Sequence, residues 1–243
     1  MNAHQTRSTN PPSLRRFSYI GAAVVTALLL SACQNPGGSG KSTGTQDLFT
    51  GKADQLKDWR GFGKAEFPLQ GWVVENGWLR HVAKGGGGDV ITREKFTDFD
   101  LRFEWRIGTA ANSGVKYWID EARGSAVGHE YQVIDDAAHP DALKGPKRQT
   151  AALYDALAAV NPAIRPAGAI NQSRIIVQGQ HVEHWLNGRR VLSYDLGSPE
   201  LVAAKAQSKF SREAHWGTQF PTPILLQDHG DDVWFRNIVI RKL

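Results

Sequence analysis

Three stretches of the chain carry chemically capable side chains spaced two apart: Lys116 with Trp118, Glu130 with Gln132, and Gln227 with His229. Each stretch otherwise reads as β-strand. Side chains alternate across a strand, so a spacing of two puts each pair on one face. In residues 130–135 the acid and the amide share one face, Tyr131 and Val133 share the other, and Asp135 closes the strand. In residues 224–229, Ile224 and Leu226 face one way and Leu225, Gln227 and His229 the other. A tight Gly-Asp-Asp turn is then expected to lead into a partner strand over residues 233–241. Lys116 and Trp118 stand opposite Val115, Tyr117 and Ile119, just after the turn Asn112-Ser113-Gly114. Any one of these strands also reads as a solvent face. Gathered on one concave sheet, the three would form a groove lined by a carboxylate, amides, an imidazole, an amine and an indole. Carbohydrate sites have that make-up, with amides and carboxylates for hydroxyls and flat rings for sugar faces.

The elements that must position these residues are mostly strands. Phe99, Leu101, Phe103, Trp105 and Ile107 alternate with Asp100, Arg102, Glu104 and Arg106, which predicts one buried and one solvated face, with Asp100 exposed. Asn76-Gly77 and Asn187-Gly188 lie between strand-like runs and predict two-residue hairpin turns, where both central residues need positive φ. Further strands are expected at residues 114–119, 130–134, 152–154, 174–178 and 233–241. Helix is scarce: Ser198-Pro199-Glu200 caps one short helix, residues 155–160 form at most a helical turn, and residues 139–150 read as a loop. Many hairpin-linked strands with little helix predict an all-β, two-layer fold, a sandwich or a barrel.

Residues 47–243 show no second linker and no internal repeat, and read as one domain. Before them come two segments of another character. Arg7, Arg15 and Arg16 precede a short apolar run that ends Leu30-Ser31-Ala32-Cys33, too short for a comfortable membrane span and suited to a signal segment. Small residues before a cysteine resemble a bacterial lipobox, so residues 1–33 are expected to be a lipoprotein signal with Cys33 as the lipidated residue. Gln34 follows rather than Asp, which favours the outer membrane. Residues 34–46, rich in Gly, Ser and Thr, read as a flexible tether. Cys33 is the single cysteine, so its lipidation leaves no thiol for a disulfide, a Cys-ligated metal or a Cys nucleophile. Removing the three signal arginines takes the net charge from +5 to +2, which gives no argument for nucleic acid as a partner. The expected partners are a carbohydrate and, through the N-terminal lipid, a membrane.

Other motifs point elsewhere and fail on inspection. The glycine run at residues 85–88 lacks the Lys-Ser/Thr sequel of a phosphate loop and reads as a flexible hairpin tip. His181 and His184 fall on opposite faces of a strand and do not chelate together. No cofactor is demanded by the sequence. Asp135, Asp136 and His139 could hold a divalent metal, although aspartates that bond backbone amides in a turn give the same pattern. A retaining glycosidase strand of the form Glu-x-Asp-x-x-Glu is not matched by residues 130–135, which argues against the two-carboxylate mechanism.

An ordered set of short stretches resembles the 3-keto-disaccharide hydrolase domain family, formerly known only as a domain of unknown function. They are Leu48-Phe49-Thr50-Gly51-Lys52, residues 72–79 and 99–106, Asn112-Ser113-Gly114-Val115, residues 129–135, Ala152-Leu153-Tyr154, His184-Trp185-Leu186-Asn187-Gly188, residues 226–230, and Phe235-Arg236-Asn237-Ile238. Together they span essentially all of residues 47–243. Two stretches depart from the family: Gly168-Ala169-Ile170-Asn171 stands where Gly-Glu-Trp-Asn is usual, and Thr150-Ala151-Ala152 where Thr-Gly is usual.

The resemblance implies a two-sheet, concanavalin-like jelly-roll sandwich and an enzyme acting on 3-keto-glycosides or 3-keto-disaccharides. Oxidation at C3 makes the C2 proton acidic, so a carboxylate or imidazole can remove it. The enolate then expels the group at C1, and water adds to the enone. Such a reaction needs a base, a stabiliser for the enolate oxygen and an acid for the leaving group. Glu130, Asp135 and His229 are the titratable candidates. Lys116, Gln132, Tyr154, Asn171 and Gln227 are candidate substrate-binding residues. Glu130, Gln132, Gln227 and His229 are expected on adjacent strands of one face, with Lys116 and Asp135 at its rim. The alternative is a non-catalytic carbohydrate-binding lipoprotein on the same fold.

Overall fold

The computed structural model describes residues 44–243. The expected signal segment with Cys33, and all but the last residues of the expected tether, lie outside the described residues. Among the described residues, thirteen strands form two antiparallel sheets. The larger sheet holds β1 (Thr45–Phe49), β3 (Trp72–Glu75), β4 (Trp78–His81), β6 (Phe99–Ile107), β9 (Asn171–Gln178), β10 (His181–Leu186), β11 (Arg189–Asp195) and β13 (Val233–Lys242). Its order is β11-β10-β9-β6-β13-β4-β3, with β1 also paired to β13. The smaller sheet holds β2 (Trp59–Gly61), β5 (Val90–Thr92), β7 (Asn112–Tyr117), β8 (His129–Ile134) and β12 (Leu225–Leu226), in the order β2-β5-β12-β7-β8. This is the expected all-β jelly-roll sandwich. Its first strand starts at Thr45, inside the stretch read as tether.

The local signals account for most of these elements. Asn76 and Gly77 adopt φ of 49° and 78°, Asn187 and Gly188 of 49° and 81°, as two-residue hairpin turns require. They join β3 to β4 and β10 to β11. The one α-helix described, α1 (Pro199–Ala206), is capped by Ser198, whose side chain accepts from the Leu201 amide. In β6, Phe99, Leu101, Phe103, Trp105 and Ile107 are all buried in the core between the sheets, facing Val115, Tyr117, Tyr131, Val133 and Leu226 of the smaller sheet. Each such side chain contributes about 1.5–3 kcal/mol of burial.

Three expectations are corrected. Asp100 is not exposed: its carboxylate is 1% accessible, covered by Arg102 of its own strand, Arg174 of β9 and Arg241 of β13. Residues 224–241 are not a hairpin. β12 pairs with β5 and β7 in one sheet and β13 with β6, β4 and β1 in the other, so the turn carries the chain across the sandwich. The acids of that crossover anchor it, Asp231 accepting from the Asn112 amide and Asp232 from Arg80 and the Ala83 amide. Residues 155–160 are not helical: Asp155 has a φ of 61°, and Leu153 bridges to Leu157 in a tight loop.

A buried polar chain ties the sheets together. Two smaller-sheet residues, Tyr117 and His129, bond two larger-sheet residues, His184 and Tyr194, at 2.8 Å per contact. His184 Nδ1 faces the Ala151 carbonyl at 2.9 Å, so it carries the hydrogen and Nε2 accepts from Tyr117. The bonds therefore run in one direction, from His129 Nδ1 through Tyr194 and Tyr117 to His184. Beside them, Tyr131 of β8 meets Ser173 Oγ at 2.8 Å, and Trp105 donates to the same oxygen. With His129 and Tyr131 pinned inward, the period of two turns Glu130 and Gln132 outward.

Candidate active site

The site is built on the outer face of the smaller sheet. The β7–β8 register sets Lys116 opposite Glu130 and Gly114 opposite Gln132, so these share the face that β8 turns away from the core. Leu225 of β12 pairs with Lys116 and with Ile91 of β5, and packs with Ile91 and Ile119 as an apolar floor beside them. Gln227 continues past β12, its amide donating to the Gly114 carbonyl at 3.0 Å. Its side-chain Oε1 is buried and has no hydrogen-bond partner.

Glu130 is the centre of the arrangement. It is 6% exposed, its Oε2 lies 3.5 Å from Lys116 Nζ, and the Gln132 side-chain amide lies 3.0 Å from its Oε1, where only the amide orientation that turns its nitrogen toward the carboxylate makes a hydrogen bond. Among the described residues no backbone amide donates to this carboxylate. That separates it from the capping aspartates nearby and leaves it lone pairs for a reaction.

Residues 151–154 run alongside β8, with Ala151 donating to the Gln132 carbonyl at 2.9 Å and Tyr154 to the Glu130 carbonyl at 3.1 Å. This brings a polar cluster up to Glu130. The Tyr154 hydroxyl donates to Asp141 at 2.7 Å, and Arg148 reaches Asp141 and Asp155, each at 2.7 Å. The Lys209 amide is fixed by Asp155 at 2.7 Å, and Lys209 Nζ stands 4.2 Å over the Tyr154 ring. Burial, reinforced by the Asp141 carboxylate, pushes the Tyr154 hydroxyl well above its ordinary value. Burial draws the Lys209 ammonium below its ordinary value. Glu130 opposes that shift and Lys116 adds to it. On the other side of Lys116 lies Asp89. Burial raises its carboxyl against the pull of Lys116 and of the Asp228 amide, which donates to it at 2.9 Å.

The expected residues sort as follows. Lys116, Glu130, Gln132 and Gln227 come together on one face, with Tyr154 beside them. His229 lies beyond Gln227 and is exposed, its Nδ1 4.0 Å from Asp231. Asp135 does not join the face: its two oxygens accept from the Ala110 and Ala137 amides at 2.8 and 3.1 Å. Asn171 belongs to β9 of the larger sheet, where it bonds Arg165 and Asn187 and braces a loop. Trp118 also leaves the face. Its φ of 55° reverses the alternation, so the ring packs against Tyr117 and His129 in the core while Ile119 takes the outer side.

The expected cation set is likewise dismantled. Asp135 caps amides and Asp136 accepts from the Thr150 amide at 2.8 Å. His139 meets His229 and Asp231 instead, the three offering ligand atoms within 4.8 Å of one another. In this arrangement His139 Nδ1 accepts from the Asp141 amide at 3.0 Å, so a neutral ring carries its hydrogen on Nε2. A metal bound here would have to displace that bond.

Asp89, Arg148, Asp155 and Lys209 were missed by sequence reasoning. Asp89 follows a glycine run and Lys209 follows a helix, so neither sits in a period that marks a face. Their places come from pairings distant in sequence.

The 3-keto-alpha-glucoside-1,2-lyase-like domain model matches residues 44–241. The 3-keto-disaccharide hydrolase of Bacteroides thetaiotaomicron is 36% identical over 228 residues, covering 81% of this chain and 77% of that protein. Two crystal structures from Parabacteroides distasonis, each described as a candidate glycosyl hydrolase, are similar in fold. One has a TM-score of 0.73 at 27% identity, covering 83% of this chain and 95% of that one. The other has a TM-score of 0.62 at 25% identity, covering 82% and 100%.

Proposed function

Because the chain belongs to the 3-keto-alpha-glucoside-1,2-lyase-like domain family, we propose that it cleaves the glycosidic bond of 3-keto-glycosides by proton abstraction at C2, elimination at C1 and hydration. The observation that carries this reading is Glu130: a buried carboxylate, clear of backbone amides, held between an ammonium and an amide.

In this reading Glu130 removes the C2 proton. Lys116 and Lys209 offset the charge that develops on the C3 oxygen, which is worth more in a partly desolvated site than in water. Asp89, whose burial favours the protonated carboxyl, gives its proton to the leaving oxygen as the C1–O bond breaks. Water then adds at C1 of the enone, Asp89 regains a proton from it, and Glu130 returns a proton to C2. Gln227, with its unpartnered buried oxygen, accepts a bond from a sugar hydroxyl.

The N-terminal arginines, short apolar run and Cys33 support a lipid-anchored enzyme of the cell envelope, on the outer membrane facing the periplasm. Purified protein incubated with a 3-keto-disaccharide and followed by NMR should release the leaving sugar, and Glu130→Gln should not. Binding without release by the wild type would instead make it a carbohydrate-binding lipoprotein.

A further inference from the structure

Lys116 contacts Glu130, Lys209 stands over the ring of Tyr154, whose amide bonds the Glu130 carbonyl, and the two lysines differ in one respect. Lys116 is buried and engaged by the Glu130 carboxylate at 3.5 Å. The Lys209 ammonium has no hydrogen bond and no carboxylate within 4.0 Å among the described residues, and its neighbours are the faces of Tyr154 at 4.2 Å and Phe210 at 5.0 Å. Its backbone is held by Asp155, whose other oxygen binds Arg148, so the residue's position is fixed while its amine is left free. The side chain is also open to an incoming molecule from the solvent side.

A ketone substrate gives such an amine a use beyond a positive charge. We propose that Lys209 forms a covalent iminium with the C3 carbonyl of the substrate, an inference that rests on the 3-keto-glycoside reading above. An amine acts as a nucleophile when desolvation and neighbouring cations lower its basicity. The Tyr154 and Phe210 rings cover one side of the Lys209 amine while the rest of the side chain stays in solvent, and this partial desolvation, with Lys116 and Arg148 as the cations, lowers its basicity against the opposing acids Glu130 and Asp155.

The steps balance. The Nζ lone pair adds to C3, and the carbonyl oxygen leaves as water, forming C3=N⁺. Glu130 takes the C2 proton, and the C2–H electron pair becomes the C2=C3 bond of an enamine. The nitrogen lone pair reforms C3=N⁺, the C2=C3 pair moves to C1=C2, and the C1–O bond breaks with its pair going to the leaving oxygen, which is protonated. Water adds at C1, C2 regains a proton, and a second water hydrolyses the iminium to release the ketone and the free amine. The net consumption is one water. The iminium is a stronger electron sink than the ketone, so C2 deprotonation no longer depends on a full enolate charge.

The test uses the full-length protein with methyl 3-keto-α-D-glucopyranoside and sodium cyanoborohydride, which reduces iminium in preference to ketone. Peptide mass spectrometry should find a reduced sugar adduct on Lys209 and none on Lys116. Lys209→Arg, which keeps the charge but cannot form the iminium, should lose the adduct and on the order of a hundredfold or more in kcat, with an unchanged circular dichroism spectrum. Wild type that cleaves the glycoside without an adduct on Lys209, or an active Lys209→Arg enzyme, overturns the iminium and leaves the cleavage reading standing. An adduct on Lys209 without cleavage supports the iminium and overturns the cleavage reading. Neither adduct nor cleavage overturns both.

Discussion

Gly114 lies beneath the carboxylate of Glu130: a Cβ placed on Gly114 would stand 2.4 Å from Glu130 Oε1 and 3.0 Å from its Cδ. The absence of a side chain on β7 is what gives the carboxylate its seat between Lys116 and Gln132. Gly114→Ala is therefore expected to push Glu130 off that seat. Overpacking of this kind costs about 1–3 kcal/mol. The loss in kcat on a 3-keto-glycoside should exceed the loss in folded fraction, read by melting the same samples. Full activity in a folded Gly114→Ala protein would show that the seat does not matter.

The two acids of residues 129–135, Glu130 within β8 and Asp135 just past its end, should behave in opposite ways. Glu130→Gln keeps shape and hydrogen bonding but removes the base, and activity should fall by a factor of about a hundred to ten thousand with the fold intact. Asp135→Asn weakens the bonds to the Ala110 and Ala137 amides, costing about 1–2 kcal/mol of stability, while the folded protein keeps its turnover. Steady-state kinetics beside urea unfolding separates the two.

Stability should decline as the pH drops below about 6.5. His184 is fully buried and held neutral, and burial draws its pKa down to about 4. Burial likewise draws His129 well down, with His184 and Lys205 adding to the shift. Both folded values lie below the unfolded one. The unfolded chain therefore binds the extra protons, and stability that is complete above about 6.5 is lost as the pH falls toward 4. For His184 alone the span amounts to about 3 kcal/mol. Denaturant midpoints measured every half unit between pH 7 and 4.5 should slope downward toward acid. A flat profile would mean that the two rings are not buried as neutral groups.

Asp100 shifts in the opposite direction from a buried acid without partners. Burial alone would raise its pKa, but the bonds from Arg174 and Arg102 outweigh it and bring it down to about 2. The stabilisation it gives is present above its unfolded value near 4 and is lost as the pH falls through about 2. Asp100→Asn leaves Arg102, Arg174 and Arg241 without their shared carboxylate and should cost about 1–3 kcal/mol at pH 7. The difference from wild type should shrink below pH 3 in the same unfolding assay.

Cys33→Ser should abolish lipid labelling and leave the chain unprocessed or released from the envelope. Palmitate incorporation equal to that of the wild type would remove the anchor from this account.

Much of the fold is legible in the sequence because a strand's period of two is a local property. It marked β6 and β8 and put Lys116 and Glu130–Gln132 on a site face, while equally local signals, positive φ at Asn-Gly and a serine before Pro-Glu, marked the two hairpin turns and the helix cap. It failed where a single backbone angle or a distant strand intervened. Trp118 looked like a platform for a sugar until its positive φ swung the ring into the core.

Asp135 looked as reactive as Glu130, and only the folded chain shows that amides occupy the first and not the second. Asp89 and Lys209 come to the Glu130 side of the sheet because a glycine-rich loop and the stretch after α1 converge on it through contacts tens of positions apart that no short-range pattern records, and Arg148 and Asp155 arrive with the loop after β8. The alternation of side chains follows from the covalent geometry of the backbone, and one sequence is enough to read it. Which of several acids keeps its lone pairs depends on what else is packed against each, and that is determined only when the two sheets close.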